Sequence, residues 1–145
     1  MALEEYKEIF IEINIEKSDE AIKMANIALN ENALMTAFNR IYYSIFYTVS
    51  ALAEKQGFKT SKHNTMIGWF HKKYFYESKT FNKDIFDTYN NAFQYRQKGD
   101  YDRAYKLDKD EAIKLLAEAK IFIETVRKEI FKDRQGKNNT NFKPE

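Results

Sequence analysis

Two arginines and one histidine in this chain sit where a charged side chain needs a reason. Arg40 is the only charged residue between Ala33 and Ala53, a stretch otherwise apolar on nearly every side. Placing a guanidinium there costs on the order of several kcal/mol unless it is paired or reaches a polar pocket. Its stem could pack while its head snorkels to the surface or to a carboxylate, or the head could serve as an anion site inside a groove. Arg96 shares a helical face with Ile85, Tyr89 and Ala92, so it should point inward or into a cleft. Asp100 and Tyr101 follow closely enough to fold back near Arg96; the simplest role for Asp100 is a local ion pair holding the turn. Lys62-His63, with Ser61 as a candidate cap, offers an imidazole that titrates near neutrality, although a lone histidine is more often structural. His71 lies about 80° round a helix from His63, so the two do not form a metal clamp. With no HExxH, P-loop, GxGxxG or acidic metal cluster, neither a metal nor a cofactor is expected. Tyr42-Tyr43, Phe46-Tyr47, Phe70 and Tyr74-Phe75-Tyr76 could stack nucleic-acid bases. At helical spacing and without a flanking Lys/Arg stripe, they read instead as core.

These groups are carried by helices. Four Gly and one Pro in 145 residues leave little room for a turn-rich β fold. The first helix is predicted over residues 2–29, with Leu3, Tyr6, Phe10, Ile13, Ala21, Met24 and Ala28 as its inward row. Lys17 breaks that row, and Ser18-Asp19 could mark a bend or a second helix start. A second helix over 33–56 ends at Gly57, a suitable left-handed stop. Asn39, Arg40, Ser44, Ser50 and three tyrosines make it costly in lipid, so it reads as a central helix packed on both sides. A shorter helix over 63–74 follows, then one over 83–98 closed by Gly99. The last starts at Asp108, with Glu111 completing a capping box, and runs to about residue 132 on Ala112, Leu115, Ala119, Phe122, Val126 and Ile130. The expected architecture is all-α: an antiparallel bundle of four main helices plus a short one. Residues 1–133 form a single domain, and 134–145 read as a polar, pattern-free tail.

A net charge of +2 argues against wholesale coating of a phosphate backbone but leaves room for a local basic patch. The absence of cysteine excludes disulfides and Cys-based zinc sites. The N-terminal run Met1-Ala2-Leu3-Glu4-Glu5-Tyr6-Lys7 lacks the basic start and apolar stretch of a signal peptide, so a cytoplasmic location is expected.

Taken in order, these motifs resemble one family. Asn39-Arg40-Ile41-Tyr42-Tyr43-Ser44-Ile45-Phe46 is similar to the Arg-x-Tyr-Tyr-Ala-x-Phe stretch of small HEPN proteins. Lys62-His63-Asn64-Thr65-Met66-Ile67 is similar to that branch's Lys-His segment before a short helix. Tyr95-Arg96-Gln97-Lys98-Gly99-Asp100-Tyr101-Asp102 is similar to its Arg-x-x-x-Asp-Tyr signature, and Ala119-Lys120-Ile121-Phe122-Ile123 fits its closing helix. The ordered set covers roughly residues 24–130.

The resemblance implies a helical bundle that pairs as a two-fold homodimer, pooling its polar groups in a cleft at the interface. Many HEPN members are metal-independent ribonucleases, often toxins, in which an arginine holds the scissile phosphate and a histidine helps transfer protons as the ribose 2′-OH attacks. Here the clamp would be Arg96, but after four intervening residues Tyr101 stands where that motif has histidine. A phenol is a poor general base at neutral pH, so proton transfer would fall to Asp100 or His63, with Tyr101 orienting. The resemblance therefore points first to a non-catalytic module that binds a nucleotide or RNA through Arg40, Tyr43, His63 and Arg96. Such a module would pair with a minimal nucleotidyltransferase antitoxin, with Tyr101 or Tyr105 as a hydroxyl acceptor. A ribonuclease toxin using Arg96, Asp100 and Tyr101 is the second reading, and a purely structural dimer the third.

Overall fold

The structure, a computed structural model, describes residues 2–101 and 106–134, with Ala2, Asp100 and Tyr101 described by their backbone alone. Five helices carry it: α1 (Ala2–Asn30), α2 (Leu34–Gln56), α3 (His63–His71), α4 (Lys83–Tyr101) and α5 (Lys109–Ile130). A π-helical turn, Lys72–Glu77, continues α3. This is the expected all-helical bundle of four long helices and a short one, and no strand occurs among the described residues.

Helix α2 is the spine, packed against α1, α4 and α5. Its Phe38, Ile41, Tyr42, Ile45, Val49 and Leu52 are fully buried, each contributing about 1.5–3 kcal/mol of apolar transfer free energy. It ends as expected at Gly57, whose φ of 80° lies in the left-handed region, and the amide of Phe58 returns to the carbonyl of Ala53. Among the described residues no helix is long and apolar enough to cross a membrane. Helix α5 opens on Asp108, whose carboxylate accepts from the Glu111 amide at 3.0 Å, one half of the expected capping box.

The inward face of α1 differs from the expected row. Leu3, Tyr6, Phe10, Ile13 and Met24 are exposed, Leu3 by 82%. Ala21 and Ala28 of that row are buried as expected, but the helix otherwise turns Ile11, Ile15, Ser18, Ile22, Ala25 and Leu29 toward the core, a row about a third of a turn away. Small side chains decide this: Ser18, Ala21 and Ala25 let α1 approach α2 closely, which a stripe of phenol and phenyl rings would prevent. The helix runs unbroken through Ser18. That hydroxyl is wholly buried, donates to the Ser44 carbonyl at 2.9 Å and lies 2.8 Å from Thr48 Oγ1.

Three boundaries also move. Ser61 does not cap α3; Lys62 stands at that position without a side-chain bond. The third helical segment runs past residue 74 because the π turn buries Tyr74 against Phe70, Trp69 and Phe81. Gly99 does not stop α4. It stays outside the left-handed region, and its Cβ-free face lies against Leu107 and Met35. Of the expected tail, Arg134 forms ion pairs with Glu8 and Glu12 of α1, while residues 135–145 lie outside the described residues.

Candidate functional site

The site is built on consecutive residues of α2. Neighbours on a helix point about 100° apart, so Tyr42 and Tyr43 face different ways. Tyr42 is fully buried, whereas Tyr43 sits at the edge of the core. Arg40 precedes Tyr43 by one turn and therefore lies over it: its Cζ is 5.0 Å from the Tyr43 ring centroid. Its Nε and Nη2 both donate to Asn39 Oδ1, at 3.0 and 2.8 Å.

Helix α4 supplies the second guanidinium. Ile85, Tyr89 and Ala92 are buried as their spacing requires, and Arg96, next on that stripe, is half-buried. Its Cζ lies 5.4 Å from the rings of both Tyr42 and Tyr43. Aromatic faces attract such cations, by about 0.5–1 kcal/mol where exposed and more where desolvated.

His63, the first residue of α3, completes the group. Its Nδ1 lies 2.6 Å from the Tyr42 hydroxyl. The imidazole also packs 4.5 Å from the Phe46 ring and meets Tyr43 edge-on at 5.6 Å. Burial, with the Arg96 charge adding to it, holds the imidazole below its usual range. Burial pushes the Tyr42 hydroxyl well above the ordinary tyrosine range; Arg96 opposes that shift and Tyr43 adds to it.

Arg40, Tyr43, His63 and Arg96, singled out from three separate stretches of sequence, thus lie together: His63 and Arg96 meet both Tyr42 and Tyr43, and Arg40 joins them through Tyr43. Two guanidiniums share one phenol ring. The hydrogen-bond partner of Arg40 is a neutral amide, and among the described residues no carboxylate pairs with it. Such an arrangement can hold an anionic oxygen and offer an aromatic surface beside it. The side chains of Asp100 and Tyr101, and the whole of Tyr105, lie outside the described residues.

Tyr42 is the participant that sequence reasoning assigned to the core alone. It belongs to both core and site, and only the adjacency of two tyrosines before a downstream Lys-His hinted at it. Most of the other aromatics are core as expected: Phe70 packs on Tyr74, Phe81, Phe86, Tyr89 and Phe122. His71 is likewise structural, with Nδ1 2.8 Å from the Ile67 carbonyl. A groove between α1 and α5 offers a second concavity. Its Arg127 is already tied to Asp19 at 2.6 Å, so that charge is satisfied within the fold.

The HEPN domain matches residues 11–130 of this chain. The chain is 32% identical over 122 residues to a Thermotoga maritima protein named UPF0332 protein, covering 84% of this chain and 92% of that one. It is also 32% identical over 114 residues to a Methanocaldococcus jannaschii protein named Putative toxin MJ0142, covering 79% and 77% of the two chains. The ordered motifs, the four-plus-one bundle and a match running from Ile11 within α1 to Ile130 at the end of α5 agree: the chain belongs to the HEPN domain family.

Proposed function

We propose that this HEPN chain works in a toxin–antitoxin pair as a homodimeric module that binds a nucleotide or RNA phosphate and partners a minimal nucleotidyltransferase. The observation that carries the binding reading is the pair of guanidiniums, Arg40 and Arg96, held over the single Tyr43 ring. Each guanidinium is a charge-assisted donor suited to a phosphate oxygen, and both are gathered at the same ring. Tyr43, half-buried, leaves part of its ring for a base or ribose to contact. The toxin setting is supported by the name of the archaeal relative. A cytoplasmic location and the two-fold dimer, in which each protomer brings one such cluster to a shared cleft, belong to the same proposal.

One observation favours the second reading, a metal-independent ribonuclease. His63 brings an imidazole beside Arg96, although Tyr101 occupies the usual histidine position. Arg96 would then hold the scissile phosphate, with His63 or Asp100 handling the proton.

The test uses a fluorescein-labelled mixed-sequence RNA, purified protein in excess EDTA, and Arg96→Ala alongside. Binding without cleavage, abolished by Arg96→Ala, is the expected result, with sedimentation reporting a dimer in both. Cleavage by the wild type that disappears in Arg96→Ala would establish the ribonuclease instead. An RNA that binds neither protein would overturn the phosphate reading.

A further inference from the structure

The hydrogen bond between Tyr42 and His63 fixes more than the position of a ring. Tyr42 is fully buried, so its hydroxyl has little access to water as an alternative partner. A neutral phenol beside an imidazole nitrogen can donate to it or accept from it, and the two cases leave opposite chemistry at the far nitrogen. If the phenol donates, Nδ1 is the acceptor and Nε2 carries the hydrogen; if it accepts, Nε2 is bare. Burial keeps the phenol protonated and the imidazole neutral. A protonated phenol makes its strongest bond by donating, and 2.6 Å is the short length of a good O–H donor contact.

We infer that Tyr42 is a positioning residue: its hydroxyl donates to His63 Nδ1 and locks the imidazole as the Nε2–H tautomer, so that His63 offers an N–H donor beside Arg96. The packing supports this, since Phe46 lies against the imidazole at 4.5 Å and Tyr43 meets it edge-on, restricting the ring's rotation. The inference rests on reading the cluster as a phosphate site and specifies how that site works. Arg96 supplies charge, His63 Nε2–H supplies a directed donor, and both address one anionic oxygen. It also bears on cleavage. In this tautomer Nε2 has no free lone pair, so His63 binds the phosphate oxygen and does not take the proton of an attacking hydroxyl.

The chain supplies its own control. His71 Nδ1 faces the Ile67 carbonyl, which can only accept, so His71 must carry its hydrogen on Nδ1. The two histidines of the chain are therefore expected in opposite tautomers. Long-range ¹H–¹⁵N correlation of the uniformly labelled full chain, at a pH above the usual imidazole range, reads both at once. The expected spectrum shows His63 protonated at Nε2 and His71 at Nδ1. A His63 protonated at Nδ1 would overturn the inference outright, without recourse to any variant.

Tyr42→Phe then tests the consequence, because it keeps the buried ring and removes only the hydroxyl. The His63 pattern should become a mixture while that of His71 is unchanged. Affinity for the labelled RNA should fall about three- to tenfold, the value of one hydrogen bond. A Tyr42→Phe protein with altered tautomer and wild-type affinity would refute the positioning role. Failure of the underlying site reading looks different: Arg96→Ala would bind RNA as the wild type does, while the tautomer assignment stands.

Discussion

Replacing Arg40 with glutamine isolates the less obvious of the two arginines. The substitution removes the charge but keeps an amide able to lie along α2 and reach Asn39, so the fold should be little disturbed. In the free protein the loss is the stacking on Tyr43 at 5.0 Å, about 0.5–1 kcal/mol for a partly solvated pair. In the complex a charge-assisted hydrogen bond disappears as well, about 1.5–3 kcal/mol, equivalent to roughly 10- to 150-fold in Kd. Because Arg40 is half-buried and partly screened, the lower part of that range is expected. The salt dependence sharpens the test. If Arg40 meets one phosphate of a single strand, the slope of log K against log salt should fall by about 0.7 in magnitude. Fluorescence anisotropy of a labelled RNA across roughly 50–200 mM salt measures both quantities. Lys120→Gln, an equal charge change in the α1–α5 groove, serves as the control and should leave the slope in place. An Arg40→Gln protein whose affinity and slope both match the wild type would show that Arg40 is a packed, snorkelling residue and that the paired-guanidinium reasoning is wrong.

Three other outcomes follow from the geometry. Ser18→Ala removes a buried hydroxyl that bridges α1 to the Ser44 carbonyl and Thr48; a loss of about 1–2 kcal/mol in urea unfolding is expected, and an unchanged midpoint would contradict it. Lys55→Met strips a cation from the end of α5, where Nζ donates to the Ile130 carbonyl at 2.7 Å; about 1 kcal/mol should be lost, with amide exchange rising in the last turn of α5 if the capping argument holds. The imidazole of His63 is held below its usual value, first by burial and then by Arg96, so folding favours the neutral form. That contribution is complete above the ordinary histidine range near 6.5 and fades as pH falls through the lowered native value. Thermal midpoints of wild type and His63→Gln should therefore diverge at neutral pH and converge toward acid; parallel curves would remove His63 from the account.

Fold and site were legible in the sequence to different depths. The capping Asp108, the left-handed Gly57 and the apolar wrap of α2 are local signals with a single physical reading, and each defined its element. Helix α1 was harder because it carries two apolar rows. The larger side chains suggested one, but close approach to α2 selects for Ser18 and Ala25 beside the already expected Ala21, and only the partner helix reveals that need. Gly99 misled because a glycine late in a helix reads as a stop, whereas here it keeps a helical backbone beside Leu107 and Met35. For the site, the oddness of Arg40 and the inward stripe of Arg96 were visible as spacing, whereas their convergence on Tyr43 depends on how α2 and α4 pack. Tyr42 was invisible as a site residue because a buried aromatic and a buried hydrogen-bond donor look the same in one dimension.

The bond that orients His63 also fastens down the first residue of α3. Even with the π-helical turn that continues it to Glu77, that helix is short and opens without a side-chain cap, so it is marginal without its tertiary contacts. The tether from Tyr42 therefore holds a small cooperative unit of the fold at one end. A ligand that engages His63 binds only the tethered form, so it should raise the opening free energy of α3 by RT ln(1 + L/Kd), where L is its free concentration, rising with the logarithm of that concentration once the site fills. Amide hydrogen exchange in α3, followed with and without RNA, then becomes an occupancy gauge built into the chain, one that reports binding whether or not any reaction follows.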